Sequence, residues 1–114
     1  MRYGAHIKPV RTNGFASRLE SDVYDVLRVR ENAGEISEIS CQDRVILPGN
    51  IAWRVDFSFM ENGKKVYCEA KGLLSDREFR LKLKLFKSLN SWDIEIWTKG
   101  RRGPVLKERF RCET

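Results

Sequence analysis

The chain has 114 residues, of which 41% are hydrophobic and 33% charged, so its length and composition predict one globular domain, residues 1–114. Its 22 basic and 16 acidic residues give a formal net charge of +6, which favours polyanionic partners such as nucleic acids. No apolar run approaches the ~20 residues that span a bilayer, and the start lacks the apolar core of a secretory signal, so we expect a cytoplasmic protein with no membrane partner.

The first fourteen residues form a basic arm with little apolar periodicity. Arg2, Lys8 and Arg11 are candidate contacts to a DNA backbone, although a poorly ordered terminus explains the same pattern. His6 is the only histidine, and without a second histidine nearby a surface position is a better interpretation than a zinc site.

The first helix is predicted from a capping box. Ser17 is followed three residues later by Glu20, and apolar residues then recur at helical spacing up to a stop at Ala33 and Gly34. Residues 35–47 alternate only in part, which indicates two short strands or one bent strand before a turn.

Two strands at residues 53–60 and 65–71 form the centre of the predicted sheet. Asn62 and Gly63 both tolerate positive φ, so the segment between the strands predicts a tight hairpin with antiparallel neighbours. Apolar residues alternate with polar ones along the first strand, which predicts that the apolar set shares one face. This set is Trp53, Val55, Phe57 and Phe59.

The second half of the chain predicts one more helix and one more strand. A second capping box, Ser75 with Glu78, predicts a helix to about residue 88, whose basic outer face is either solvated or follows DNA. Residues 92–98 alternate as a strand, and the helical crossover favours a parallel position beside the strand at 65–71. The element order therefore predicts an α/β fold, with a central mixed sheet flanked by helices.

Residues 99–114 form a second basic run, which is interrupted by glycine and proline and predicts a basic C-terminal tail. Arg101 and Arg102 in this run are candidate DNA contacts. Only their charge supports that assignment.

Asp56, Glu69 and Lys71 together indicate phosphodiester hydrolysis. Pairing of the two central strands can bring Asp56 to the face that carries Glu69 and Lys71, which the apolar alternation leaves unburied. Two carboxylates suffice as protein ligands for Mg²⁺, with Mn²⁺ as a substitute, and the Ala70 carbonyl can contribute. The metal would polarise the phosphate, while Lys71 would stabilise the transition state or position water. A solvated ion pair of Glu69 with Lys71 and a surface position for Asp56 are the structural alternatives.

The order of these residues resembles the PD-(D/E)XK nuclease superfamily, and especially its small phage-encoded endonucleases. The matching elements are Glu20 on a helix, Val55-Asp56 on one strand and Glu69-Ala70-Lys71 on the next. The likeness covers roughly residues 12–98, with valine where the superfamily pattern has proline and no counterpart for the tail. It implies a Mg²⁺-dependent DNA endonuclease that has a mixed sheet flanked by helices and uses no organic cofactor.

The resemblance also implies a role for each residue. Asp56 and Glu69 would be the metal ligands, together with the Ala70 carbonyl, and Lys71 would be the catalytic lysine. Glu20 would reach the metal or its water, although its capping box is a sufficient structural reason for it. Gln42 matches a position that lies beside the site in some members.

Three functions fit this pattern. The first is cleavage of branched DNA, as by a Holliday junction resolvase, and it predicts a homodimer because paired cuts need two sites. The second is a nicking or double-strand-cutting nuclease for duplex DNA in a phage replication or packaging system. The third is a nucleic-acid-binding module without turnover, which the clustered carboxylates argue against because they repel phosphates unless a cation intervenes.

Overall fold

Five strands form one mixed sheet with a helix against each face, in a computed structural model that describes residues 14–113. The elements are α1 (Arg18–Asn32), β1 (Ser37–Leu47), β2 (Ile51–Glu61), β3 (Lys64–Ala70), α2 (Arg77–Leu89), β4 (Asp93–Gly100) and β5 (Gly103–Phe110). Tyr67 packs in the core beneath α2, whereas Val66 and Cys68 pack in the core beneath α1, because successive strand residues point to opposite faces. The predicted α/β class is confirmed. Neither of the two helices in the described part is long and apolar enough to cross a membrane.

The strands follow chain order across the sheet, and the pair β3 and β4 is parallel. Because α2 connects these two strands, the predicted parallel placement is confirmed. The other neighbouring strands are antiparallel. As a result, the C-terminal end of β3 lies at the same edge of the sheet as the β1–β2 and β4–β5 turns.

The β2–β3 hairpin forms as predicted. Asn62 and Gly63 have φ values of 52° and 77°, so both central residues of the turn adopt the left-handed conformation that two-residue hairpins require. Glu61 pairs with Lys64 next to the turn, and the ladder then continues along both strands. This turn sets the register of the two strands that carry the predicted carboxylates.

The apolar alternation of β2 breaks at Asp56. Trp53 and Val55 pack in the core beneath α2, whereas Phe57 and Phe59 pack in the core beneath α1. The expectation that these four residues share one face is therefore wrong.

A left-handed residue in β1 accounts for this break. Gln42 lies opposite Asp56 in the β1–β2 register, yet this position is missing from the ladder although the pairs on both sides form. The φ of Gln42 is 56°, which residues other than glycine rarely adopt, and it turns the strand. β1 changes faces at the same point, since Val45 packs in the core beneath α2 and Cys41 packs against the other core.

The start of α1 also matches its prediction, but the start of α2 does not. Ser17 Oγ accepts the N–H of Glu20 at 3.1 Å, which confirms the first cap. The second box, Ser75 with Glu78, is wrong as a cap, because α2 begins later and its N-cap residue is Asp76, which makes no side-chain capping hydrogen bond.

The predicted basic tail is largely a strand. Residues 103–110 form β5, which pairs antiparallel with β4, so the interpretation as a tail is wrong there. Arg109 explains why this basic segment joins the sheet. Its side chain is only 13% exposed, and its positive charge is compensated inside the fold. Its ion-pair partners are Glu61, Asp93 and Glu95. These carboxylates come from β2 and β4, so the sequence of the tail alone does not reveal them.

Candidate active site

Two carboxylates meet where β2 and β3 separate. The backbone pairing of these strands stops at Phe57 opposite Cys68, and Asp56 opposite Glu69 is the next position in register. There the Asp56 N–H donates to Oε1 of Glu69 at 3.0 Å, and the Ala70 N–H donates to Oδ2 of Asp56 at 2.9 Å. The backbone of each strand therefore holds the carboxylate of the other, and the predicted juxtaposition of Asp56 and Glu69 is present.

The Asp56 carboxylate is buried, and that of Glu69 is half-buried. Asp56 is only 7% exposed, so the expectation of an unburied face and the alternative of a surface acid are both wrong. Burial raises the pKa of Asp56 well above its ordinary value, and the charge of Glu69 raises it further. Burial also raises the pKa of Glu69 to about 7, although the hydrogen bond from the Asp56 N–H opposes that rise. The pair therefore holds a proton more tightly than exposed carboxylates do.

Glu20 approaches the same pair from α1. Its Oε1 accepts the N–H of Ala16 at 2.9 Å, so the capping arrangement fixes its side chain. The Glu20 carboxylate is close enough to the pair that it contributes to the raised pKa of Asp56, and its charge raises the pKa of Glu69 as well. The structural and the functional interpretations of Glu20 are thus compatible.

Lys71 lies close to the carboxylates but pairs elsewhere. Its charge lowers the pKa of Glu69, while its Nζ lies 3.0 Å from Oδ2 of Asp76. The backbone N–H of Lys71 donates to the Trp97 carbonyl at 2.8 Å, which fixes the residue against β4. The sequence interpretation missed Asp76, whose only signal is an aspartate in the first turn of the predicted helix.

The other predicted contacts have mixed outcomes. Gln42 lies opposite Asp56 and is half-buried, so its predicted place beside the site is present. Arg101 and Arg102 are exposed in the β4–β5 turn, at the same edge of the sheet as the carboxylates. Three basic residues and the histidine of the N-terminal arm lie outside the described residues. These are Arg2, Lys8, Arg11 and His6.

The donor set fits a hard divalent cation that has few protein ligands. Within residues 14–113, no group of three or more His, Cys, Asp and Glu side chains forms a ready metal cage. Two carboxylates with a main-chain carbonyl are enough for Mg²⁺, which usually keeps several waters. Neither Asp56 nor Glu69 forms an ion pair within 4.0 Å in the described part of the chain. Buried carboxylates without such a partner are costly, and a cation between them would offset that cost.

Comparisons with known proteins do not place the chain in a family. No protein-family model, no curated protein and no solved structure matches it. The likeness to the PD-(D/E)XK superfamily therefore stays an expectation from the sequence pattern.

Proposed function

We propose that the protein is a metal-dependent DNA endonuclease. The observation that carries this proposal is a pair of hydrogen bonds in which the backbone N–H of Asp56 binds Glu69 and the backbone N–H of Ala70 binds Asp56. These bonds fix the two carboxylates side by side. This arrangement is costly without a cation, as the raised pKa of both groups indicates, and it lies at an edge of the sheet. Clustered carboxylates at a phosphodiester site are useful only with such a cation.

Each residue of the site would have a distinct role in metal binding or catalysis. Asp56 and Glu69 each use one oxygen for a backbone amide and would hold the cation with the other, together with the Ala70 carbonyl. When bound, Mg²⁺ or Mn²⁺ would supply Lewis-acid polarisation of the phosphate and charge compensation. Glu20 would orient the attacking water from its fixed position at the start of α1.

Lys71 would stabilise the charge that develops on the phosphate. Its ammonium is held by Asp76 at 3.0 Å, beside the carboxylates. A compact point charge in that position can approach a non-bridging oxygen without competing for the cation. Because its pairing with Asp76 is established before substrate binds, the group needs little rearrangement.

The substrate assignment extends the same proposal. The resemblance to small phage endonucleases favours branched DNA, cut by a homodimer. The cations of the β4–β5 turn, which form no ion pair with residues 14–113, favour contacts to the backbone rather than to bases. Arg101 and Arg102 would make such contacts.

Cleavage assays with a four-way junction, a linear duplex and a supercoiled plasmid test the proposal. We expect cutting in Mg²⁺ or Mn²⁺, none with a chelator, and strong loss of cutting in Glu69→Gln and Asp56→Asn. Glu78→Gln is the matched control, because it makes the same chemical change at a glutamate that is exposed on α2. Equal cutting by wild type and both site variants would reject the site, whereas nicked plasmid without preference for the junction would reassign the substrate to duplex DNA.

A further inference from the structure

Two arginines face each other across β1 and β2 close to the carboxylates. Arg44 and Arg54 are direct partners in the antiparallel ladder, and both are exposed. Side chains at such positions have Cβ atoms about 4.5 to 5.5 Å apart, so two like charges there destabilise the hairpin. The folded protein gains nothing from this pair on its own.

The positive charges of these arginines are not compensated within the described residues. Neither Arg44 nor Arg54 forms an ion pair with any of residues 14–113. By contrast, the arginines that stabilise the fold are neutralised, since Arg30 and Arg109 both bind Glu95. The pair on β1 and β2 is therefore a site of uncompensated charge.

The arginine pair also faces the side of the sheet from which Glu20 approaches the carboxylates. Val45 and Trp53, which are next to the arginines in sequence, pack in the core beneath α2. Arg44 and Arg54 consequently point to the other face, which α1 covers further along the strands. Arg54 is two residues from Asp56, a separation of about 6.8 Å along a strand.

The end of β3 opens a notch between two hairpins at this edge. β2 continues past its last pairing with β3, and β4 continues past its last pairing with β3 at Trp97. One projecting hairpin carries the arginine pair, and the other carries Arg101 and Arg102 in its turn. The carboxylates lie between the two hairpins, so a polyanion that crosses the notch meets cations on both sides.

We propose that Arg44 and Arg54 together bind a phosphate of the DNA strand that is cut, within about two nucleotides of the scissile bond. The spacing follows from the ~6.8 Å between the pair and Asp56, compared with a rise of ~3.4 Å per nucleotide. Two guanidinium groups offer a phosphate several donors in a fixed fork, and the phosphate removes the repulsion between them. The position relative to the cut rests on the proposed function, whereas the binding of a DNA phosphate does not.

The test uses Arg44→Thr, Arg54→Thr and the double variant, because threonine suits an exposed strand. DNA affinity is measured by fluorescence anisotropy with a labelled duplex and a labelled four-way junction in Ca²⁺, over a range of salt concentrations. We expect each single variant to weaken binding about tenfold, as for loss of a charge-assisted hydrogen bond, and to reduce the salt slope by about one. We also expect the melting temperature of the free protein to rise, since a like-charge pair is removed.

Arg111→Thr is the control, because Arg111 is exposed and lies beyond the end of β5, at the opposite edge of the sheet. Folded single variants with wild-type affinity and an unchanged salt slope would overturn the proposal. The proposal would also be overturned if wild type binds inorganic phosphate tightly and the double variant does not, while both bind DNA equally well. That result would assign the pair to a free anion. If wild type binds DNA through the pair but never cuts it, the nuclease proposal fails and the phosphate site stands.

Discussion

The Nζ atom of Lys71 lies 3.0 Å from Oδ2 of Asp76, and this ion pair joins the end of β3 to the residue that begins α2. The ammonium also lies 5.8 Å from the centre of the Phe79 ring. Both contacts restrict a long side chain that would otherwise lose considerable rotational freedom when a substrate arrives. The position of the proposed catalytic lysine therefore depends on a residue outside the motif.

Asp76→Asn should lower kcat for DNA cleavage about tenfold without changing DNA affinity, because Lys71 loses its anchor but keeps its charge. The free energy of unfolding should stay nearly constant, because the ion pair is partly exposed and the Asp76 side chain makes no capping hydrogen bond that could be lost. Steady-state cleavage kinetics and urea unfolding provide the measurements. Glu78→Gln is again the control, and Lys71→Ala gives the lower limit of activity. A wild-type kcat for Asp76→Asn would show that the ion pair does not position the lysine.

The metal-free protein should lose stability as the pH rises from 4.5 to about 7. In this window the folded state keeps a proton on Glu69, whose pKa is raised to about 7, while the unfolded chain releases it near 4.5. The raised pKa of Asp56 acts in the same direction. Thermal unfolding with a chelator should show a falling melting temperature over this range, and Glu69→Gln should flatten the curve. Added Mg²⁺ or Mn²⁺ should stabilise most at the upper end of the window, where it competes least with protons.

Substitutions of Gln42 should show how much its left-handed backbone conformation, as distinct from its side chain, matters for stability. Glycine adopts a φ of 56° without cost, so Gln42→Gly should leave stability within about 1 kcal/mol of wild type. Gln42→Val should lower the free energy of unfolding by about 2 kcal/mol more than Gln42→Gly does, because a β-branched residue is strained at positive φ. Urea unfolding checks both values. If valine is tolerated as well as glycine, the left-handed residue does not cause the face change at Asp56.

Removal of Arg109 should destabilise the fold strongly. Arg109→Ala leaves Glu61 and the buried Glu95 with Arg30 as their remaining basic partner and removes the 2.8 Å partner of Asp93, at a cost of about 3 kcal/mol in the free energy of unfolding. Arg111→Ala should change stability by less than about 0.5 kcal/mol, because that side chain is exposed and its nearest carboxylate oxygen is 3.9 Å away. Urea unfolding of the two variants side by side measures the difference, and equal losses would contradict the assigned role of the buried network.

The sequence alone predicts the hairpin and its carboxylates, because both depend on local chemistry. Asn62 and Gly63 favour positive φ, and the register of the tight hairpin then places Asp56 opposite Glu69. The capping of α1 is equally local, since Ser17 and Glu20 lie three residues apart.

The remaining features depend on residues that are distant in sequence, or on the exact start of a helix. The face change at Asp56 needs the backbone of Gln42, and β5 needs carboxylates from β2 and β4 to neutralise Arg109. The pairing of Asp76 with Lys71 depends on where α2 begins, which sequence patterns define only to within a few residues.

The helix α1 carries Glu20 in its first turn and Arg30 in its last. At 1.5 Å per residue these positions are about 15 Å apart, and Arg30 is clamped to Glu61 and Glu95 at 3.1 and 3.2 Å. The ion pairs of Arg30 therefore hold the C-terminal end of α1 against the sheet, and through the helix they help to position the Glu20 carboxylate near Asp56. A change in these ion pairs would tilt α1 and move the Glu20 carboxylate relative to Asp56, while the residues of β2 and β3 keep their positions.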